Sequence, residues 1–199
     1  MAVIKIAKMY FTHGTMRSGK SIDVIRAYDS FAKSGRKAIV AKPSIDTRDK
    51  NVVKTRKGYE TPSIIIETNN LEEIFKEISK HDIESIIIDE AQFLTKDQVD
   101  VLVNIVDFFN IPVLCYGLKT NFRGELFDGS KALLESADNI AEIKTVCQYC
   151  SKKATHNLRL INGEAAPLNS EEIVIGDEEY VQVCRKHFNL KNGVNFSKK

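Results

Sequence analysis

Gly14-Thr15-Met16-Arg17-Ser18-Gly19-Lys20-Ser21 fits the pattern G-x-x-x-x-G-K-S/T, and its setting decides the fold. Before it, Lys5 to Phe11 reads as a strand. After it, Ser21 to Ser34 reads as a helix, with Ile22, Val24, Ile25, Tyr28 and Phe31 recurring near helical spacing and Gly35 as its stop. Strand, glycine loop and helix in that order aim backbone N–H groups at phosphate oxygens where the helix begins. The loop from Gly14 to Ser21 is therefore the expected triphosphate site. Lys20 is expected to reach the β- and γ-phosphates, and the Ser21 hydroxyl to ligate Mg²⁺.

A second segment supports this. Ser85-Ile86-Ile87-Ile88-Asp89 is a continuous apolar run of the kind found in a parallel strand buried on both faces, with Asp89 at its carboxyl end. Ligands of open α/β sheets bind at that edge, so an acid there can hold Mg²⁺ beside the phosphates. Alone, such a run is more often an ordinary core strand. Paired with the upstream loop, the metal reading prevails.

The 199 residues suit one domain, or one with a small appendage, and 43% hydrophobic with 28% charged residues is a soluble globular composition. No run approaches the ~18 apolar residues of a membrane span. Met1 to Ile6 is too short, and too soon interrupted by Lys5, for a secretory segment, so a cytoplasmic location is expected. A net charge of +2 from 29 basic and 27 acidic side chains gives no broad field for nucleic acid. The basic cluster Lys50, Lys54, Arg56 and Lys57 reads as a solvated loop. Asp46-Thr47-Arg48, following the strand Lys37 to Ala41, is better placed for substrate contacts.

Cys147-Gln148-Tyr149-Cys150 and Cys184-Arg185-Lys186-His187 form two ligand pairs, each with two intervening residues. Cys147, Cys150, Cys184 and His187 supply the four donors of a closed, structural Zn²⁺ site. Disulfide pairing would leave His187 without a part and does not suit a cytosolic chain. Cys115 reads as a small buried residue of another strand.

The stretch from Ser63 to Tyr116 alternates strand and helix: Ser63 to Glu67, Leu71 to Lys80, Ser85 to Asp89, Thr95 to Asn110, Pro112 to Tyr116. That pattern predicts an α/β fold, a parallel sheet flanked by helices, with a last helix at Ser130 to Ser136. Between the cysteine pairs, Asn157 to Ile161, Glu171 to Ile175 and Tyr180 to Val183 read as short strands of a β-rich zinc-binding appendage. The expected organisation is a nucleotide-binding domain over residues 1–144, the appendage over 145–191, and a tail over 192–199.

Taken together, the phosphate loop, Asp46-Thr47-Arg48, Asp89-Glu90-Ala91-Gln92-Phe93, Tyr116 to Phe127 and both cysteine pairs resemble the thymidine kinases of the cellular cytosolic and bacterial type. The resemblance spans essentially the whole chain. It implies transfer of the γ-phosphoryl group of ATP to the 5′-hydroxyl of thymidine, with Glu90 as general base. It implies that Asp46 holds the sugar 3′-hydroxyl and that Met16, Phe93, Leu118 and Phe122 surround the thymine ring. By the same resemblance the appendage is a lasso-like lid that reads the base through backbone groups at Val174 and Gly176, with Tyr180 packing on the nucleoside. A homotetramer is likewise implied. Departures from the family pattern fall at Thr15 and Arg17 in the phosphate loop, at Asn157 where many relatives carry Thr, and in the short acidic turn Asp177-Glu178-Glu179. The rival reading is a P-loop ATPase whose zinc-bearing appendage binds nucleic acid or another protein.

Overall fold

The computed structural model describes residues 6–47, 49, 51–67, 72–80, 82–170 and 179–193. In chain order the elements are β1 (Met9–Gly14), α1 (Lys20–Lys33), β2 (Ala38–Pro43), β3 (Val52–Lys54), β4 (Glu60–Pro62), β5 (Ile64–Ile66), α2 (Glu72–Lys80) and β6 (Ser85–Ile88). A 3₁₀ turn (Ala91–Phe93), α3 (Lys96–Phe109), β7 (Val113–Gly117), α4 (Asp128–Ser136) and β8 (Asn139–Ile143) complete the first part. β9 (His156–Ile161), β10 (Glu164–Ala165), β11 (Glu179–Val183) and α5 (Arg185–Lys191) follow.

Six strands form one sheet in the order β5-β2-β6-β7-β1-β8, and every neighbouring pair is parallel. Side chains alternate across it as the pleat requires. Ile86 and Ile88 pack with Val99, Leu102 and Ile105 of α3, whereas Ile87 packs on the other face with Val24 of α1, Val40 and Tyr116. All four residues of β6 are fully buried, which is why that strand reads as an unbroken apolar run.

Helix α3 begins with a reciprocal capping box: the Thr95 hydroxyl accepts from the Gln98 backbone N–H, and the Gln98 side chain accepts from that of Thr95. Its end is marked by Asn110 in the left-handed region, and the Asn110 side chain accepts from the Ala7 N–H. The first strand, expected at Lys5 to Phe11, begins at Met9 and ends at Gly14. Its register is set by pairing with β7 and β8, which continues through His13 and Gly14, and by the Met9 N–H donating to Asp138 at 2.7 Å. Lys5 lies outside the described residues.

The chain then builds a second, three-stranded antiparallel sheet in the order β10-β9-β11, packed with α5 around Leu158, Val183 and Phe188. Asn162 and Gly163 both have positive φ and turn β9 into β10, an Asn-Gly hairpin. Helix α5 is absent from the sequence expectations, because seven residues hold too few turns to display a period. The strand expected at Glu171 to Ile175 falls outside the described residues, as do Val174 and Gly176. Asn192 and Gly193 of the expected tail close α5 instead.

Candidate active site

The phosphate loop joins β1 to α1 at the carboxyl edge of the sheet. Its backbone takes left-handed conformations at Arg17 (φ 62°) and Gly19 (φ 96°), which orient successive N–H groups into a concave nest. A Cβ on Gly14 would lie 2.4 Å from the Ser18 hydroxyl, so any larger residue there would force the Ser18 side chain to shift. The Ser18 hydroxyl is buried and has no hydrogen-bond partner among the described residues. Lys20 is buried, and its ammonium donates to the Thr15 carbonyl at 3.0 Å.

Asp89 stands at the end of β6, two strands from β1 with β7 between them. It is buried, accepts from the Glu90 N–H at 3.0 Å, and is hydrogen-bonded by the Ser21 hydroxyl. Burial pushes its carboxyl up to about 7, with the charge of Glu90 adding to the shift, against the opposing pull of the Glu90 amide, Lys20 and Ser21. A hydroxyl and a carboxylate in contact beside a concave set of N–H groups, with an orphaned hydroxyl in the same loop, fit a divalent cation chelated to a polyphosphate.

Glu90 follows in the left-handed region (φ 49°, ψ 37°), a conformation a non-glycine residue adopts at a cost. The result turns its carboxylate out of the strand's line and toward a cavity of about 350 Å³. Met16, Arg17, Gly19, Lys20 and Ser21 line this cavity from the phosphate loop, with Glu90, Gln92, Phe93 and Leu118 from the sheet edge, and Asp46 and Tyr180. Asp46 is held by a buried ion pair with Lys42 at 3.4 Å.

Several residues take unexpected places. Lys54, Thr55, Arg56 and Lys57, in the β3–β4 hairpin, line the same cavity, so three members of the basic cluster that reads as a solvated loop, Lys54, Arg56 and Lys57, are exposed and yet face the site; Lys50 lies outside the described residues. Arg159, on β9, is buried, lies over the Phe122 ring at 5.3 Å, and donates to the Ser170 hydroxyl. Phe122 itself is buried under Arg159 and Arg123 and is not among the residues lining the cavity. Gln92, which composition and spacing gave no reason to single out, is 2% exposed and bonded to Glu90.

The phosphate loop is also tied to the antiparallel sheet. The Asn157 side chain on β9 accepts from the Met16 N–H at 2.7 Å and donates to the Thr120 carbonyl at 3.3 Å. Thr15 and Thr145 share a hydroxyl contact of 2.8 Å.

The donor atoms of Cys147, Cys150, Cys184 and His187 all lie within 4.8 Å of one another. Their separations are 3.4 Å from His187 Nδ1 to the sulfurs of Cys147 and Cys184, and 3.8 Å between the sulfurs of Cys150 and Cys184. A tetrahedron with metal–sulfur bonds of ~2.3 Å and metal–nitrogen bonds of ~2.0 Å has edges of about 3.5 to 3.8 Å, so the donor set fits zinc. Cys115 is apart from this cluster and buried in the main core.

A family model described as thymidine kinase matches residues 7–188. Similar relatives include a thymidine kinase of Zymomonas mobilis, 44% identical over 187 residues that cover 92% of this chain and 96% of the relative. A thymidine kinase of Streptococcus pyogenes is 41% identical over 186 residues, covering 92% and 97%. One of Lactococcus lactis is 40% identical with the same coverage.

Proposed function

The chain belongs to the thymidine kinase family, and from that premise we propose that it transfers the γ-phosphoryl group of ATP to the 5′-hydroxyl of thymidine, giving thymidine monophosphate and ADP. The observation that carries the reading is a single cavity lined both by Lys20 and Ser21 and by Met16, Phe93, Leu118 and Tyr180, together with Glu90. The first pair has the chemistry of a phosphate site. The second group offers apolar and aromatic surface for a flat base.

In the proposed reaction the loop N–H groups from Gly14 to Ser21 and the Lys20 ammonium hold the β- and γ-phosphates. Magnesium held by Ser21 and Asp89 would neutralise charge on those phosphates. Glu90 takes the proton of the 5′-hydroxyl as that oxygen bonds to the γ-phosphorus and the bond to the β,γ-bridging oxygen breaks. Lys54, Arg56 and Lys57 add positive charge at the mouth, where the nucleotide's phosphates would enter. Asp46, fixed by Lys42, receives the sugar 3′-hydroxyl. Backbone groups at Val174 and Gly176 would read the base edge, with Tyr180 packed on the nucleoside. Phe122 serves the site indirectly, by holding the loop that carries Leu118.

Zinc in the cluster of Cys147, Cys150, Cys184 and His187 would brace the ends of the segment that closes on thymidine, and residues 145–191 would act as one lid unit. A homotetramer and a cytoplasmic location complete the proposal. No helix among the described residues is long and apolar enough to cross a membrane.

Purified protein with Mg²⁺, ATP and thymidine is expected to form thymidine monophosphate, with no ATP consumption when thymidine is left out. Glu90→Gln should bind ATP normally and turn over roughly 10²–10⁴-fold more slowly. ATP hydrolysis indifferent to thymidine would overturn the proposal.

A further inference from the structure

Glu90 can serve as a base only if one carboxylate oxygen points at the acceptor hydroxyl in a fixed direction. A glutamate has three side-chain torsions and does not hold such a direction unaided. Its backbone conformation aims it, but the carboxylate needs a partner. Gln92 Nε2 donates to Glu90 Oε2 at 2.6 Å. Gln92 Oε1 in turn accepts from the Leu118 N–H at 2.9 Å.

The second bond fixes the first. The Leu118 N–H is a donor and must face the amide oxygen, so the amide nitrogen is the atom left for Glu90. Rotating the amide would put two donors together at Leu118 and leave a buried N–H unpaired, which costs roughly 1–3 kcal/mol. Gln92 is 2% exposed, so water does not readily substitute for either partner. Space for the amide is made by Gly117, where a Cβ would lie 2.8 Å from Gln92 Oε1 and 3.0 Å from Gln92 N. On the far side Gly129 leaves room for the carbonyls of Leu94, Ala91 and Gln92, each 2.6 to 2.8 Å from where its Cβ would stand.

We propose that Gln92 is a positioning residue for phosphoryl transfer: it ties Glu90 Oε2 to the backbone of Leu118 and so helps to fix the direction in which the carboxylate faces the acceptor hydroxyl. Because Leu118 also lines the cavity, the same amide links Glu90 to a residue proposed to contact the base. The inference rests on Glu90 being the general base. A buried glutamine that merely satisfies two neighbours would look alike in the static structure, so the test must separate acting through Glu90 from holding the fold.

Gln92→Met, close in shape and uncharged, removes both bonds without setting a second carboxyl against Glu90. Gln92→Leu removes the same bonds and serves if the first variant does not fold. Each is made in the wild-type chain and in the Glu90→Gln chain, and kcat, both KM values and thermal midpoints are measured. In the wild-type chain kcat should fall about tenfold to a hundredfold, with KM for ATP unchanged, as expected for a misaimed catalytic group. In the Glu90→Gln chain the same substitution should cost less than about threefold more, because residues that act through one another are not additive. Equal fold losses in the two backgrounds, unchanged kcat, or a rise in KM for thymidine alone would overturn the proposal. If Glu90→Gln itself turns over at the wild-type rate, the base assignment fails first and this inference fails with it, an outcome distinct from equal losses.

Discussion

Asp89 carries a proton to unusually high pH because it is buried beside a second carboxylate, and this has a sign that can be worked out. Its folded value of about 7 lies above the ~3.9 of an unfolded aspartate, so the folded state binds the proton more tightly. In magnesium-free buffer its contribution to stability is therefore fully present below about pH 4 and is lost as pH rises through about 7. Urea midpoints measured between pH 5 and 8 should fall with pH more steeply for the wild type than for Asp89→Asn, and added Mg²⁺ should reduce the difference. Equal slopes for the two proteins would remove Asp89 as the origin. Gly117 gives a second residue-scale prediction. Gly117→Ala pushes a methyl against the Gln92 amide and backbone, an overpacking expected to cost about 1–3 kcal/mol in urea unfolding and to lower turnover. Unchanged stability and rate would mean that the 3₁₀ turn has slack these contacts do not suggest.

At the scale of elements, strand β9 has two duties. One edge pairs with β10 and the other with β11, while the Asn157 side chain reaches out to the phosphate loop and to Thr120. Asn157 therefore gives the antiparallel sheet a direct hold on Met16. Stripping the proposed zinc from the cysteine–histidine cluster should loosen β9 and weaken ATP binding as well as thymidine binding, measurable by titration calorimetry of chelated and zinc-restored protein. Loss confined to thymidine would mean that the phosphate loop keeps its shape without this strut. Asn157→Leu should reproduce the ATP effect with zinc in place. The sequence makes β6 legible as an unbroken apolar run and α3 legible by its helical period, and α3 also spells out its cap as Thr95 and Gln98. The β3–β4 hairpin was not legible: strands of three residues are below the length at which alternation can be recognised, and their charges read as solvent-facing. Edge strand β8 was missed for a related reason, since its five residues show no clean alternation and Ile140 is half exposed. Gln92 escaped because an uncharged amide declares no chemistry until its neighbours are known.

For the molecule as a whole, the glycine loop and the acid ending β6 were enough to fix an α/β sheet, and the spacing of four donors was enough to announce a second body. What the sequence could not convey is which surfaces face each other: that Lys54 to Lys57 border the cavity, that Phe122 lies beneath two guanidinium groups, and that β9 grips the phosphate loop. These are contacts between segments far apart in the chain, and local patterning carries no record of them. Strand order has a consequence of its own. The first strand of the sheet lies between the seventh and the eighth, so Met9 to Gly14 finds no neighbour until Val113 and the residues after it have been made. At roughly 5–20 residues per second, a nascent chain spends several seconds or more with Met9 and Phe11 unsheltered. Ribosome-bound chains halted before Val113 should be cut readily near the glycine loop by a protease, and chains long enough to release β8 from the exit tunnel should resist. The segment that defines this protein's chemistry is thus among the earliest to be synthesised and among the last to find its place.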